Sequence, residues 1–402
     1  MAYDCSLPPP AVLDAVIDSY FERYSTASYS FLTEDSFTER FKAGVLPTHL
    51  VLAVLAAGVP LSNEPYFNHH QEAAAAYAHE SWLQASKEAL STPTLETVQT
   101  LYLLARLDGI AGLISCAFAK ISLNVKACKA LALTTEPPSF LSFTQQEERR
   151  RIAWVVYLQD KILTGGTPRL VPEIEDDECT LQLPCYEEAY RAGEWQEMCT
   201  VGDSISRDAE DEKAPHSSTL TITVVAIYGR CVSYVRREGI SDHLPPWDLE
   251  SGYAYLTGLL ERAGSWFSTT SVSDLEMYRD GVAFTQIEAG LALWARILLH
   301  LSHCMLNHPF FTRRYSNNPS TDFTRESLDI AAEHARQMVD LVDAQYEAGG
   351  FNGESTSYSF WLLIAGSVLS VFEFQSHSEG HFKRVLRNLE RIGWPDALNM
   401  VS

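Results

Sequence analysis

His300, Cys304 and His308 recur every four residues, with His303 beside them, so three metal-capable groups share one face if the segment is helical. Imidazole and thiolate together suit zinc. Straight i, i+4, i+8 spacing runs ~12 Å along a helix, however, too far for one ion to hold all three. The spacing therefore predicts histidines that cap a helix or line a core, and His69-His70 after Phe67 reads the same way. The eight cysteines (Cys5, Cys116, Cys128, Cys179, Cys185, Cys199, Cys231 and Cys304) lie far apart and form no C-x-x-C pair. Neither a disulfide framework nor a zinc cluster of six close thiolates is expected from them, and most read as small apolar core residues. Glu173 to Glu212 holds 14 acidic residues against two arginines, Arg191 and Arg207. Nothing in an exposed acidic run moves a carboxyl toward a catalytic pKa. Gly165-Gly166 and Gly349-Gly350 lack the lysine and the strand–turn–helix setting of a phosphate loop, and no Gly-x-Ser-x-Gly or His-Glu-x-x-His occurs. No catalytic, cofactor-binding or metal-binding residue is assigned.

The elements that must position these groups read as helices. After Pro8-Pro9-Pro10, the residues Leu13, Val16, Ile17, Tyr20, Phe21 and Tyr24 keep the i, i+3, i+4 rhythm of one apolar stripe. Ala53 to Ala57 belongs to a buried helix. The alanine-rich run Glu64 to Leu90 predicts a single helix stopped by Pro93. Leu95, Val98, Tyr102 and Ala105 mark the next, and Ile114 to Leu133 follows Gly109 and Gly112. Thr219 to Tyr228 alternates β-branched residues as a strand would, but no partner strand exists elsewhere, and helix is predicted. Tyr253–Phe267, Asp280–Asn307, Arg325–Glu347, Tyr358–Phe374 and His381–Ile392 complete the set, with Gly349-Gly350 and Gly393-Trp394-Pro395 as stops. The expected fold is all-α, one large helical domain over residues 1–402, with 173–218 an acidic, partly mobile loop region.

A formal charge of −22 argues against nucleic acid, because a DNA binder gains affinity by placing basic groups on phosphates. The basic clusters are short: Arg149 to Arg151, Arg236-Arg237 and Arg313-Arg314. Met1 to Pro10 has no apolar signal core, and the apolar runs Val45–Leu61 and Phe360–Phe372 are short for a membrane span. The expected compartment is intracellular, without direct DNA or membrane contact.

One segment is more specific. Thr144 and Glu147 fit a capping box opening a helix that carries Arg149-Arg150-Arg151, Trp154, Tyr157 and Asp160. Gly165-Gly166 ends it, Thr167-Pro168 follows, and the stretch closes on Ile174, Asp176, Asp177, Leu183 and Pro184. Cations early in a helix gain nothing from its dipole, so the arginines are expected to pair with acidic groups, Asp176 and Asp177 being attractive partners. This order resembles the regulatory middle homology region of fungal zinc-cluster transcription factors. Val98 to Ala105 is similar to that family's glutamine-containing leucine-rich helix. Leu306-Asn307-His308-Pro309-Phe310 is similar to its helix-ending stop, and Ala331-Ala332 and the helix around Trp361 and Ala365 are also family-like. The likeness covers roughly residues 8 to 392. It departs from the family at Gly166-Thr167-Pro168, where Gly-Arg-Pro is usual, at Leu131-Ala132-Leu133-Thr134, where leucine-glycine-leucine-histidine is usual, and at His308, where arginine is usual.

The resemblance implies a nuclear regulator, with the cytoplasm as the alternative, controlling a metabolic or secondary-metabolite gene set. The structural signature would be Arg150, Arg151, Trp154, Asp160, Pro168, Asp176, Pro184 and Pro309. The zinc module that usually precedes this region is not among these residues, which implies a co-regulator, a decoy dimer partner or a truncated relative working through a protein partner, another transcription factor, or a hydrophobic small molecule. The rival expectation is a biosynthetic enzyme on the same scaffold, such as a cyclase, isomerase or pericyclase, since the chain opens at Met1 just before the first family-like helix. Either way, aromatic placement suggests a pocket drawing on Trp154, Tyr157, Trp294, His300 and Trp361.

Overall fold

A computed structural model describes residues 6–24, 31–165, 171–206, 216–241, 244–268, 283–312, 321–347, 355–376 and 380–391. Among these residues the secondary structure is helical, apart from an isolated bridge between Gln182 and Thr200. The chain divides into two compact units, one of Met1–Asp160 with Glu173–Val201, the other of Lys161–Pro172 with Gly202–Ser402.

The first unit is built around α3 (Thr48–Gly58), in which every residue from His49 to Gly58 is buried. A helix apolar on all sides has nowhere to go but the core. Packed on it are α1 (Pro10–Tyr24), α4 (His70–Ala89) and α5 (Leu95–Ile110), with α6 (Ile114–Ala130) against α5. The expected stripe of α1 is buried at Leu13, Val16, Ile17, Tyr20 and Phe21. Gly58 lets α1 approach closely: a Cβ there would lie 2.5 Å from the Val16 carbonyl oxygen. α4 begins at His70 rather than Glu64. Pro65 disfavours helical geometry in the residue before it, which keeps the preceding stretch out of the helix. α2 (Glu34–Lys42) is capped by Thr33, whose hydroxyl accepts from the Ser36 N–H at 3.3 Å.

α7 (Phe143–Gly165) is the signature helix. Its capping box is not Thr144/Glu147. Ser142 takes that role: its Oγ accepts from Gln145 N–H at 3.3 Å, while the Gln145 side chain accepts from Ser142 N–H at 3.1 Å. Both pairs satisfy the Ser/Thr-x-x-Glu/Gln pattern, and burial decides between them, since Glu147 is needed in the core. After Pro172 the chain forms a 3-10 turn at Asp176–Glu178, α8 (Glu187–Ala192) and α9 (Val201–Ser206). The tail predicted to be mobile, 203–218, lies partly outside the described residues.

The second unit is organised on α12 (Ala283–Leu306), which packs against α10 (Ser217–Ser241), α11 (Gly252–Ser268), α14 (Thr321–Glu347) and α15 (Ser355–Ser376). A short α13 (Pro309–Thr312) precedes α14, and α16 (His381–Arg391) packs on α14 and α15. Thr219 to Tyr228 is helix, as predicted, with Thr221 and Thr223 bonding back to the carbonyls of Ser217 and Thr219 at 2.7 and 2.8 Å. The α14 stripe is buried from Leu328 through Val342, whereas Tyr346 is exposed and lies under the Arg391 guanidinium, 4.4 Å from its ring centre. Asp343 on α14 receives hydrogen bonds from Arg384 and Arg391, which fasten α16. Ser217–Arg236 and Tyr358–Ser376 have the length and composition of a membrane span, which corrects the reading of the later run as too short; 72% of the first window is buried inside the protein.

Candidate functional site

The signature residues of the first unit make a framework, assembled from α7 outward. Arg151 is 2% exposed and Glu147 1%. Arg151 Nε donates to Glu147 at 3.1 Å, Nη1 to Glu187 at 2.6 Å and Nη2 to the Cys185 carbonyl at 3.2 Å, and its guanidinium lies 3.9 Å from the Tyr190 ring centre. Arg150 pairs with Glu136 at 2.7 Å and Glu147 at 3.5 Å. Asp176 accepts from the Tyr157 hydroxyl at 2.6 Å. Trp154, fully buried, donates to the Gln182 carbonyl at 2.7 Å, and Asp160 accepts from the backbone N–H groups of Glu173 and Ile174 at 2.9 Å each. Pro184 is buried beside Cys185, whose N–H donates to Glu147 at 2.9 Å. Pro168 lies outside the described residues.

The leucine-rich helix joins this framework: Gln99 on α5 donates to the buried Glu148 at 2.8 Å, and Arg40 reaches the same carboxylate at 3.5 Å. Burial raises the Glu148 pKa, opposed by the hydrogen bond from Gln99 and the charge of Arg40. A second buried network supports α3. His49 bonds Thr100 at 2.8 Å and Glu88 at 3.1 Å, and burial lowers its pKa against the pull of Glu88. The described carboxylates and arginines in the first framework thus have partners, which leaves little for a ligand to bind. Its work is to hold the 173–190 loop on α7.

The second unit contains a cavity of about 470 Å³ between α11, α12 and α14. Its lining includes Tyr253, Leu260, Glu261, Gly264 and Phe267 from α11, Arg296, Leu299, His300, His303 and Asn307 from α12, and Ile330 and His334 from α14. A volume in this range is that of a small-molecule site. Beside Gly264 the space is open: an added Cβ would meet nothing nearer than Leu299 Cδ2 at 3.8 Å, an ordinary contact.

Polar groups on the otherwise apolar α12 are drawn into this wall. His300 Nδ1 and His334 Nδ1 share a hydrogen bond of 2.8 Å, and the His303 ring stacks on His334 with centroids 3.8 Å apart and planes 3° from parallel. Tyr253 donates to the Asn307 side chain at 2.6 Å. Burial pushes the His300 and His303 imidazoles down to about 3, reinforced by His334, and burial pushes His334 down to about 4. All three are neutral near pH 7. One Nδ1 of the 300/334 pair must then donate and the other accept, so the two Nε2 atoms are one N–H and one lone pair. Among the described residues, no group of three or more His, Cys, Asp or Glu is placed to hold a metal ion.

The periodic trio is dispersed, as its spacing implied. His300 faces His334, the Cys304 thiol donates to the Ala331 carbonyl at 3.5 Å, and His308 Nε2 pairs with Ser367 at 2.8 Å. His308 Nδ1 also accepts from the Phe310 N–H at 3.1 Å, which with Pro309 starts α13. Of the five residues suggested for a pocket, His300 lines the cavity. Trp154 and Tyr157 pack on each other in the first unit, ring centres 5.1 Å apart. Trp294 and Trp361 pack at 5.5 Å in the second, both with buried indole N–H groups that lack an acceptor. Arg296, His303 and His334 were missed, since no spacing in the sequence links α12 to α14.

The described residues thus make an all-helical protein with a buried arginine–carboxylate framework in one unit and a ligand-sized cavity in the other. The chain matches the fungal specific transcription factor domain over residues 17–227 and belongs to that family. It is 23% identical over 367 residues to the Zn(2)-C6 fungal-type transcription factor FTF2 of Fusarium oxysporum f. sp. lycopersici, covering 84% of this chain and 33% of that protein. It is 25% identical over 382 residues to the transcription factor FTF1c of the same organism, covering 86% and 39%. An uncharacterized transcriptional regulatory protein of Schizosaccharomyces pombe is 22% identical over 276 residues, 63% of this chain and 28% of its own length. The chain thus spans about a third of the length of these curated relatives. No solved structure matches it. The cavity, at residues 253–334, lies beyond the family match.

Proposed function

We propose that this chain is the ligand-responsive regulatory body of a transcription regulator, acting in the nucleus on a metabolic gene set, secondary metabolism included. What carries the reading is the cavity of about 470 Å³, walled by neutral imidazoles and apolar side chains together with Arg296 and Glu261, in a chain of this family. Neutral hydrogen-bonding groups set in an apolar wall suit a small organic molecule, since they orient it without a large desolvation cost. The net charge of −22 supports a role without direct DNA contact, which falls to a partner protein or to sequence beyond these residues.

The test pairs two measurements. The purified protein is incubated with metabolite extract from a strain lacking its gene, and transcripts are compared between that strain and its parent. Retention of a metabolite without conversion, together with a changed transcript set, is expected. Conversion of an accumulated metabolite with unchanged transcripts would make the chain an enzyme and overturn the proposal.

A further inference from the structure

The cavity contains an unspent charge. Arg296 lines it and makes no ion pair or hydrogen bond with a described residue, in a protein with 52 acidic side chains against 30 lysines and arginines. Three other arginines of the same unit are paired, Arg384 and Arg391 with Asp343 and Arg336 with Glu333. Arg296 shares the lining with His300, whose imidazole its charge depresses further. The other charged group of the lining, Glu261, is exposed and solvated. The apolar part of the lining is supplied by Leu260, Phe267, Leu299 and Ile330, and further polar groups by Tyr253, Thr257 and Asn307.

A guanidinium without a partner among the described residues, in one lining with an N–H donor and apolar side chains, suits a carboxylate carried on a hydrocarbon or aromatic body. We propose that the cavity binds a small amphipathic organic monocarboxylate, with its carboxylate on Arg296 and the Nε2–H of the His300/His334 pair and its apolar body against Leu260, Phe267 and Leu299. This rests on the reading of the cavity as a ligand site, and it adds the charge and shape of the ligand. The imidazoles cannot supply the positive charge, because burial keeps them neutral. Arg296 must supply it.

Three matched probes test this by calorimetry on the full chain at pH 7.5: 4-phenylbutyrate, 4-phenylbutyramide and 4-phenylbutylamine. The acid is expected to bind at least tenfold tighter than the amide, with the amine weakest. Arg296→Gln should abolish the preference for acid over amide while leaving the helical circular dichroism spectrum and the urea midpoint unchanged. Glu261→Gln, at the exposed rim, should keep the preference. Equal binding of acid and amide to the native chain, absence of binding by all three, or a preference that survives Arg296→Gln would each overturn the proposal. These outcomes are read in vitro, so they are distinct from failure of the regulator reading, which the transcript comparison decides.

Discussion

Arg151 shows what a single residue contributes here. Burying a guanidinium is costly unless opposite charge is close and its donors find acceptors, and Glu147, Glu187 and the Cys185 carbonyl supply these while Tyr190 stacks beside the fork. Arg151→Ala would leave Glu147 buried without its main partner, and the expected loss is about 3–5 kcal/mol in urea unfolding. Arg151→Lys should also be clearly destabilised, because a point charge cannot span those acceptors. A loss under ~0.5 kcal/mol for Arg151→Ala, the level of a surface substitution, would show that the network is not a fastener. The arginine run was visible in the sequence, and so was its need for acidic partners. The identity of those partners was not, because Glu136 and Glu187 lie on opposite sides of α7 in sequence and only folding brings them together. Asp176, starting the 3-10 turn, meets Tyr157, a partner that the charges alone did not suggest.

At the scale of elements, helix ends carry the clearest expectations. α6 ends at Ala130, and Ala132 follows with φ 51°, in the left-handed region, where the family-like element carries glycine. That conformation costs a side chain bearing a Cβ roughly 1–2 kcal/mol, and Ala132 is exposed, so Ala132→Gly should stabilise the protein by about 1 kcal/mol in thermal or urea unfolding. A decrease in stability would contradict the geometry. At the start of α7, Ser142→Ala should cost about 1 kcal/mol, whereas Thr144→Ala should cost little. The reverse order would restore the capping box read from the sequence. The long helices were legible, because the stripes of α1 and α14 report directly which face is buried, whereas the short α2, α8 and α9 were not, and the last two lie where an acidic loop was expected. Boundaries were less so: Pro65 outweighed the alanine-rich propensity that would have begun α4 at Glu64, and two overlapping capping patterns stood two residues apart before α7. The cavity was the least legible feature. His300 and its neighbour His303 were visible as imidazoles, but Arg296 carried no distinguishing context, and His334 joins them only through the packing of α14 on α12.

For the molecule as a whole, buried neutral histidines set a pH dependence. His300, His303, His308 and His334 titrate near 6.5 when unfolded, but folding pushes them down to about 3, 3, 4 and 4, burial being the first cause in each. Between about pH 6.5 and 4 the unfolded chain therefore holds more protons than the folded one, so stability is full above that window and falls as pH falls through it. The groups around the cavity that bear on this are Arg296, which opposes protonation, Glu333, which favours it, and Glu261 and Tyr253 on the facing helix. A urea midpoint that drops between pH 7 and 5, with a shallower slope in His303→Gln, is expected; a flat profile would contradict the burial of these rings. The central claim, that the cavity is where this chain is regulated, is tested most directly by closing it. Gly264→Leu places a side chain in the open space beside Leu299 without touching the Arg151 framework. With the variant in place of the native gene, and its helical spectrum and cellular level unchanged, transcripts should shift in the same gene set as in the deletion strain. A profile identical to the parent's, in a strain background where deletion does change transcripts, would show that the cavity has no part in regulation.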